Sequence, residues 1–242
     1  RCTYARLPFL FCVPLLYHKG LPGTKFFVPG LCPFTPADPL CYDGGTNHGF
    51  LRRMDMYINP TVYTGRPTDD RIPQELAVYD RLEELNIPYL RVDHEHADTM
   101  EACLQIESLL GAKICKNLFL CNRQQTQFYL LMMPGDKPFK TKYLSAQLGC
   151  SRLSFADAGH MEEYLHTIPG SVSALELLFD AQGKVQLVID RPLLADDTIS
   201  GHPGISTSTL RLGREDLLRY VASTGHEPIY IDLPDPRETG EA

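Results

Sequence analysis

Three short segments of the sequence contain residue types that could take part in catalysis. Lys116 stands at the start of the apolar run KNLFL, residues 169–173 read PGSVS, and His202 precedes a proline. The lysine supplies a positive charge, and Gly170 permits a backbone conformation that lets neighbouring N–H groups point into a site. Such groups suit the stabilisation of developing negative charge. Taken singly, the same segments also fit a solvated charge, a plain turn and an ordinary histidine.

Several well-known catalytic patterns are absent from the sequence, which contains no GxSxG, GxxxxGK[ST], GxGxxG or HExxH. His94 and His96 lie two residues apart without a third ligand nearby, so we interpret them as part of a surface turn and expect neither a metal nor a cofactor. The eight cysteines form no CxxC pair, which excludes a zinc ribbon or a thioredoxin-type centre. Free thiols in a chain of this size fit a reducing compartment.

The net charge of −7 does not by itself suggest a nucleic-acid partner. The charges are unevenly distributed, however, because residues 1–55 hold six basic and three acidic residues, against 17 and 27 in the remainder. Within the acidic remainder, residues 113–152 contain seven basic residues and one acid, Asp136. This segment is the candidate surface for RNA, although a solvated lysine-rich hairpin would have the same composition.

The sequence divides into three parts. Residues 1–55 are rich in proline and glycine without a persistent period, which predicts an irregular N-terminal extension; one hypothesis is that residues 1–53 are an over-extended gene model. Residues 56–233 predict a single domain, and residues 234–242 a flexible tail. The apolar stretch 7–17 is interrupted by two prolines, which disfavours a signal peptide. No apolar run approaches the length of a spanning helix, so we do not expect an integral membrane protein. The cysteines, which fit a reducing compartment, lead us to expect a cytoplasmic protein.

Hydrophobic periodicity predicts interleaved helices and strands, and hence a mixed α/β domain with a central mixed β-sheet flanked by helices. The predicted helices span residues 75–85, 99–110, 142–148, 158–165 and 216–222. The predicted strands span residues 88–92, 117–121, 127–133, 172–178, 185–189 and 207–212. The second and third of these strands flank a turn-like segment and predict a hairpin. Asp157 is suited to cap the helix that follows it.

The order of these segments resembles the YbaK/prolyl-tRNA synthetase associated domain family, and in detail its ProX/PrdX branch. The resemblance extends from residue 65 to residue 233 and rests on the motifs PQEL, TMEA, KNLFL, GSVS and HP in that order. Because each motif is diffuse, the specificity lies in their combination. The resemblance implies a YbaK-like fold and an enzyme that hydrolyses mischarged aminoacyl-tRNA, with the ProX branch implied to clear alanine from tRNA for proline.

The resemblance also implies which residues form the site. In the family, a lysine at the start of the KNLFL-like strand, a GxxxP loop and a histidine before proline line the pocket. The candidate catalytic residues are therefore Lys116, Gly170, Ser171, Val172, Ser173, Ala174 and His202. The fifth loop position is alanine in this chain instead of proline, which leaves room for a less efficient or inactive relative.

Two further sets of residues are candidates for binding. The substrate-binding candidates are Met100, Ile114, Asn117 and Leu118. The candidates for contact with tRNA are Lys137, Lys140 and Lys142. The apolar members of the first set, Met100, Ile114 and Leu118, would form the walls of a small, size-selective pocket together with Val172. A second, smaller pocket is needed because a synthetic pocket shaped for proline discriminates against the smaller alanine by only about 1 to 3 kcal/mol per methylene.

Hydrolysis of an aminoacyl ester requires no nucleophilic side chain, because the ester is already activated. A positioned water and donors for the developing oxyanion supply much of the reduction in the barrier. In this interpretation Lys116 neutralises the terminal tRNA phosphate or the charge on the ester, and the ribose hydroxyl beside the ester orients water.

Two functions from different classes follow from the sequence. The first is a freestanding trans-editing hydrolase for Ala-tRNA(Pro), with a Cys-tRNA(Pro) deacylase as its nearest variant. Its expected partner is aminoacyl-tRNA, with prolyl-tRNA synthetase as a further candidate. The second is a non-catalytic aminoacyl-tRNA or RNA-binding module of the same fold, which Ala174 and the acidic balance would suit. Ester hydrolysis distinguishes the two.

Overall fold

Helices and strands interleave through the residues that the computed structural model describes, 57–96 and 100–238. The helices are α1 (Pro73–Glu84), α2 (Met100–Leu110), α3 (Thr141–Leu148), α4 (Ala158–Leu165) and α5 (Arg214–Ser223). The strands are β1 (Tyr63–Thr64), β2 (Tyr89–Asp93), β3 (Cys115–Asn122), β4 (Phe128–Pro134), β5 (Leu153–Phe155), β6 (Val185–Asp190), β7 (Thr198–Gly201), β8 (Ser208–Gly213) and β9 (Ile229–Ile231). Two 3₁₀ helices, Ala174–Phe179 and Arg191–Ala195, complete the elements of the described part. The extension expected at residues 1–55 and the end of the expected tail lie outside the described residues.

Local sequence explains where several helices begin and end. Pro73 opens α1, where its fixed φ suits the first turn and its missing N–H costs nothing. The side chain of Asp157 accepts a hydrogen bond of 3.0 Å from the amide of His160 and so caps α4, as predicted. Gly149 ends α3 in the left-handed conformation, with a φ of 62°.

The strands are divided between two sheets, where one sheet was expected from the sequence. The first sheet has the order β1-β2-β8-β7 and is antiparallel throughout. The second has the order β5-β3-β4-β6-β9 and is mixed: β4 pairs with β6, and β6 with β9, in parallel, whereas β3 is antiparallel to both of its neighbours. The mixed α/β class is confirmed, and so is the hairpin formed by β3 and β4.

The main core lies between the two sheets. It contains inward-facing residues of β2 and β8 together with alternate residues of β3, β4 and β6, and it is closed by apolar residues of α1, α4 and α5. A second cluster packs α3 against the outer face of the five-stranded sheet. A third packs α2 against β2. Because successive side chains of a strand point to opposite faces, Cys115 and Phe119 of β3 belong to the inner cluster and Leu118 and Leu120 to the outer one.

One predicted strand is wrong. Residues 172–178 form a loop followed by the 3₁₀ helix Ala174–Phe179. The apolar run there suggested a strand, but Ser173 and Glu176 form a capping box at the start of the helix. The short strands β1, β5, β7 and β9 were not predicted, since two to four residues carry too little periodicity to be recognised.

Candidate active site

Two of the three segments singled out in the sequence meet in the structure, and the carboxyl group of Glu176 joins them. It accepts hydrogen bonds from the amide of Ser173, in the loop 170–174, and from the amide of Gly204, at 2.7 Å, in the segment after His202. The Ser173 hydroxyl also donates to the carbonyl of His202, at 2.7 Å. The loop and the His-Pro segment are therefore held as one unit.

Glu176 is fully buried, with no exposed surface. Burial raises the pKa of its carboxyl to about 8, although the hydrogen bonds from Ser173 and Gly204 oppose that shift. This residue was not predicted from the sequence. The spacing S-x-x-E from Ser173 to Glu176, typical of a capping box, was the signal that could have identified it.

The loop 170–174 has the backbone expected of it, but only part of its donor set is available. Gly170 has a φ of +90°, a conformation that other residues resist. The amide of Ser171 already donates to the carbonyl of Ile168, and that of Ser173 to Glu176. Within the described chain, the amides of Val172 and Ala174 have no such acceptor. Of the two, the Val172 amide is the remaining candidate for stabilising an oxyanion, because the resemblance places a proline, which has no N–H, at the position of Ala174.

His202 lies close to His94 in a half-buried position, with their ring centroids 6.2 Å apart. Its Nδ1 is 2.8 Å from the carbonyl oxygen of Ser208, and burial lowers its pKa, which favours a neutral imidazole. His94 is not on a surface turn as expected. It is buried, its pKa is lowered by burial, and its Nε2 is 2.8 Å from the Thr209 hydroxyl. No cluster of three metal-ligating side chains occurs among the described residues.

The start of β3 adjoins this unit on the inner face of the sheet. The Cys115 thiol donates to the carbonyl of Ser200 at 3.1 Å, and a side chain added at Gly201 would meet Ser173 at 3.5 Å. Asn117 lies on the same face, where its Nδ2 is 3.5 Å from the sulfur of Cys115. Its Oδ1 is buried and has no hydrogen-bond partner in the described structure. An unsatisfied acceptor of this kind is destabilising unless a ligand or water supplies a donor.

Lys116 lies on the opposite, outer face of β3. Its Nζ donates a hydrogen bond of 2.8 Å to the carbonyl of Lys137. Among the described residues it makes no hydrogen bond to the loop or to His202. The structure thus joins Ser173 to the segment of His202, places Asn117 beside Cys115 on the inner face of β3, and places Lys116 on the opposite face.

The four candidates for substrate binding do not form one wall. Leu118 borders the outer cluster and Ile114 the cluster beneath α2, whereas Val172 is buried in the main core. Met100 begins α2, and its side chain lies outside the described part of the structure. Only Asn117 of that set lies on the face of the loop.

The prediction that Lys137 contacts tRNA is wrong. Its ammonium is buried, 2.7 Å from Asp190 Oδ2 and 2.6 Å from the carbonyl oxygen of Leu233. A buried ammonium requires partners of this kind. Asp190 and the carbonyl of Leu233 are the partners of the Lys137 ammonium. Lys140 and Lys142 do line an open groove on the outer face, together with Lys116 and Arg152.

A cavity of about 610 Å³ opens beside the unit formed by the loop and the His-Pro segment. Ser171, Thr167 and Gly204 border it, and so do His96 and Ser206, whose side chains are hydrogen-bonded to each other. The cavity therefore combines backbone groups with polar side chains, among them one hydroxyl and one imidazole in hydrogen-bond contact. That arrangement suits hydrolysis by a positioned water.

Comparison with known proteins identifies the family. The model of the aminoacyl-tRNA editing domain matches residues 94–220, which include β3, the loop 170–174 and His202. The chain belongs to the aminoacyl-tRNA editing domain family. The resemblance stated from the motifs is confirmed, and the protein is an aminoacyl-tRNA deacylase.

Two related proteins align with this chain over most of their own length. The chain is 32% identical over 157 residues to the prolyl-tRNA editing protein ProX of Acetoanaerobium sticklandii, covering 65% of this chain and 96% of that protein. It is 33% identical over 162 residues to prolyl-tRNA synthetase associated domain-containing protein 1 of Bos taurus, covering 65% and 94%. The chain therefore aligns with nearly the whole length of each of these two relatives.

A solved structure shares the fold. A crystal structure described as a candidate trans-editing enzyme for prolyl tRNA synthetase superposes with a TM-score of 0.53 at 18% identity, covering 68% of this chain and 98% of that one. At this identity the likeness concerns the fold alone. No helix of the described residues is long and apolar enough to cross a membrane.

Proposed function

We propose that the protein is a freestanding trans-editing hydrolase that removes alanine from mischarged tRNA(Pro). The observation that carries the proposal is the 32% identity to a prolyl-tRNA editing protein over 96% of that protein's length. The backbone donors of the loop 170–174 and the polar side chains around it support attack by water on the ester. A cytoplasmic location follows from this proposal, and the free thiols of Cys103, Cys115, Cys121 and Cys150 fit a reducing compartment.

The proposed geometry places the ester at the start of β3, on the inner face. There the Oδ1 of Asn117 accepts a hydrogen bond from the amino group of the aminoacyl moiety or from the ribose hydroxyl. The amide of Val172 stabilises the oxyanion, and the segment of His202 closes the site behind Ser173. Lys116 contributes from the other side of the strand by neutralising the terminal phosphate of the tRNA.

Glu176 supports this arrangement without contacting the substrate. By accepting from the amides of both Ser173 and Gly204, it fixes the loop relative to the His-Pro segment. Preorganised donors of this type are worth about 2.7 to 4 kcal/mol each in acyl transfer, so a loose loop would lower the rate.

The substrate is tested by deacylation of tRNA(Pro) charged with alanine, cysteine or proline, using the full chain. We expect alanine to be released fastest and proline to be retained. Faster release of cysteine would instead identify the Cys-tRNA(Pro) deacylase. Release of all three at similar rates would contradict selection by size. Association with prolyl-tRNA synthetase is a further part of the proposal, and co-purification of the two proteins would test it.

A further inference from the structure

The outer face of the five-stranded sheet carries a second feature, a groove of about 870 Å³. The residues that line it are Lys116, Leu118, Phe139, Lys140, Thr141, Lys142, Ser145, Arg152 and Phe155. We propose that this groove binds the unpaired 3′ segment of an RNA by stacking a base on Phe155 and by pairing the phosphates with its four cationic side chains. The inference rests on the proposed function, because it supplies the path by which the tRNA end reaches β3.

The charge of the groove is the first argument. It has four cationic residues, Lys116, Lys140, Lys142 and Arg152, and none of its lining residues is acidic. The chain as a whole carries a net charge of −7. A local concentration of positive charge on an acidic protein attracts a polyanion to that place and not to the rest of the surface.

The aromatic residues are the second argument. Phe155 ends β5 with 62% of its surface exposed, although a ring of that size is usually buried. Phe139 packs against the outer core cluster and holds its ring 6.5 Å from that of Phe155, at an interplanar angle of 70°. Phe155 is thus supported from one side, and its exposed surface is available to a flat partner.

The combination of these features selects the partner. Phosphate groups would pair with the cationic side chains, and a planar base would stack on the exposed ring of Phe155. An acidic peptide would pair with the cations but would leave the ring without a partner. The bases of a duplex are stacked on each other and cannot cover a protein ring. The occupant is therefore an unpaired strand, which an aminoacyl-tRNA offers at the end that carries the ester.

The position of the groove fits this partner. Lys116 lines the groove, and Asn117, the next residue, lies on the inner face beside Cys115, whose thiol contacts Ser200. A strand that follows the groove therefore reaches the start of β3, where its terminal ribose would meet the candidate active site.

The test uses an uncharged RNA hairpin with a four-nucleotide unpaired 3′ end, together with the same hairpin made blunt. We expect Phe155→Ala to weaken binding of the first hairpin by about tenfold, as removal of one stacking ring does. Phe155→Tyr, which keeps a ring, should bind like the wild type. The matched control is Leu104→Ala on α2, a side chain 58% exposed outside the groove, which should have no effect.

The phosphate contacts are tested by salt dependence. Replacing Lys142 with glutamate should flatten the plot of log affinity against log salt by about 0.7 for each phosphate that is no longer neutralised. The same change at exposed Lys184, outside the groove, should leave the slope unchanged. Equal binding of the overhanging and blunt hairpins, or full binding by Phe155→Ala, would overturn the proposal. Because the hairpins carry no amino acid, that failure is distinct from a failure to deacylate tRNA(Pro).

Discussion

Lys116 and Asn117 are neighbours in the sequence, yet they lie on opposite faces of β3. The alternation of a strand requires this, and it separates the charge of the lysine from the polar groups around Ser173. Asn117 lies on the inner face with a buried Oδ1 that has no partner in the described structure, and Lys116 lines the cationic groove. In the proposed function, Lys116 contacts the terminal phosphate and Asn117 the ribose hydroxyl or the amino group of the ester.

The lysine is therefore expected to act on the tRNA phosphate and not on water. Replacing Lys116 with alanine should lower kcat/KM for deacylation by about 100-fold, since a charged group that stabilises the bound ester and its transition state is removed. Exposed Lys184 provides the control, and Lys184→Ala should retain wild-type activity. Undiminished deacylation by Lys116→Ala would remove this lysine from the site.

Glu176 gives the protein a dependence of stability on pH. Its pKa in the folded state is raised to about 8 by burial, above that of an exposed glutamate, so the folded state retains a proton that the unfolded chain loses. The free energy of unfolding should therefore fall as the pH rises towards 8, by at most about 1.4 kcal/mol per pH unit. Above pH 8 this contribution is fully lost.

The measurement is urea unfolding of the wild type and of Glu176→Gln between pH 6 and pH 9. Glutamine remains neutral over this range and still offers an acceptor to Gly204. Other groups, such as His94 and His202 with their lowered pKa values, titrate alike in both proteins and cancel in the difference. Identical pH profiles would show that Glu176 does not hold the extra proton.

Lys137 was predicted to contact tRNA because it lies in a basic segment of the sequence, and its position in the structure shows why that prediction is wrong. It shares a basic segment with Lys140 and Lys142, but its ammonium is buried against Asp190. Replacing Lys137 with methionine should destabilise the protein by about 3 to 5 kcal/mol, because an uncompensated carboxylate is left in the core. Lys142→Met, at an exposed position, should change stability by less than about 0.5 kcal/mol.

Thermal or urea unfolding of both variants checks this prediction. Adding Asp190→Asn to Lys137→Met should recover part of the stability, since the unpaired charge is then removed. Equal stability of the two lysine variants would contradict the buried ion pair.

At the scale of elements, long periodic segments were predictable and short ones were not. All five predicted helices and the β3–β4 hairpin are present, because each presents an apolar face over two turns or more, or alternates over five residues or more. The run 172–178 was mistaken for a strand because its apolar residues fit one, whereas the contacts of Ser173 and Glu176 set a 3₁₀ helix.

The site was predictable only in part, for a similar reason. The loop and His202 could be proposed from motifs, and they do meet. That Glu176 joins them, that Lys116 faces away, and that Lys137 is buried depend on which residues the two sheets bring together. Distant pairs such as Lys137 and Asp190 leave no periodic signal in one sequence.

The loop 170–174 offers a test at the scale of an element. Ala174 is the first residue of the 3₁₀ helix and Ser173 before it is extended, with a φ of −145° and a ψ of 179°, a conformation that a residue before proline adopts. The Ala174 amide has no acceptor within the described chain, so proline removes no hydrogen bond there. Ala174→Pro should therefore stabilise the protein by about 0.4 to 1 kcal/mol.

Urea unfolding measures that gain, and single-turnover deacylation shows whether a stiffer loop preserves the rate. Ala174 is buried beside a void of only about 10 Å³, so the added ring carbons must fit among closely packed neighbours. A decrease in stability would mean that the added carbons clash with the core and that alanine is required at this position.

At the scale of the whole molecule, two sheets place distinct surfaces on either side of β3. The inner side holds polar groups fixed by buried hydrogen bonds, and the outer side holds a cationic groove with an exposed ring. An aminoacyl-tRNA combines a polyanionic strand with a small neutral ester at its end. Under the proposed function, the cationic groove would bind the strand and the inner side of β3 the ester.

The most direct test of a size-selective editing function is single-turnover deacylation of Ala-tRNA(Pro) by the full chain, with Pro-tRNA(Pro) in parallel and the spontaneous rate measured without protein. We expect alanine to be released at least about 100-fold faster than without protein, and proline to be released at the spontaneous rate. Spontaneous rates for both esters, or equal acceleration of both, would contradict a size-selective editing hydrolase.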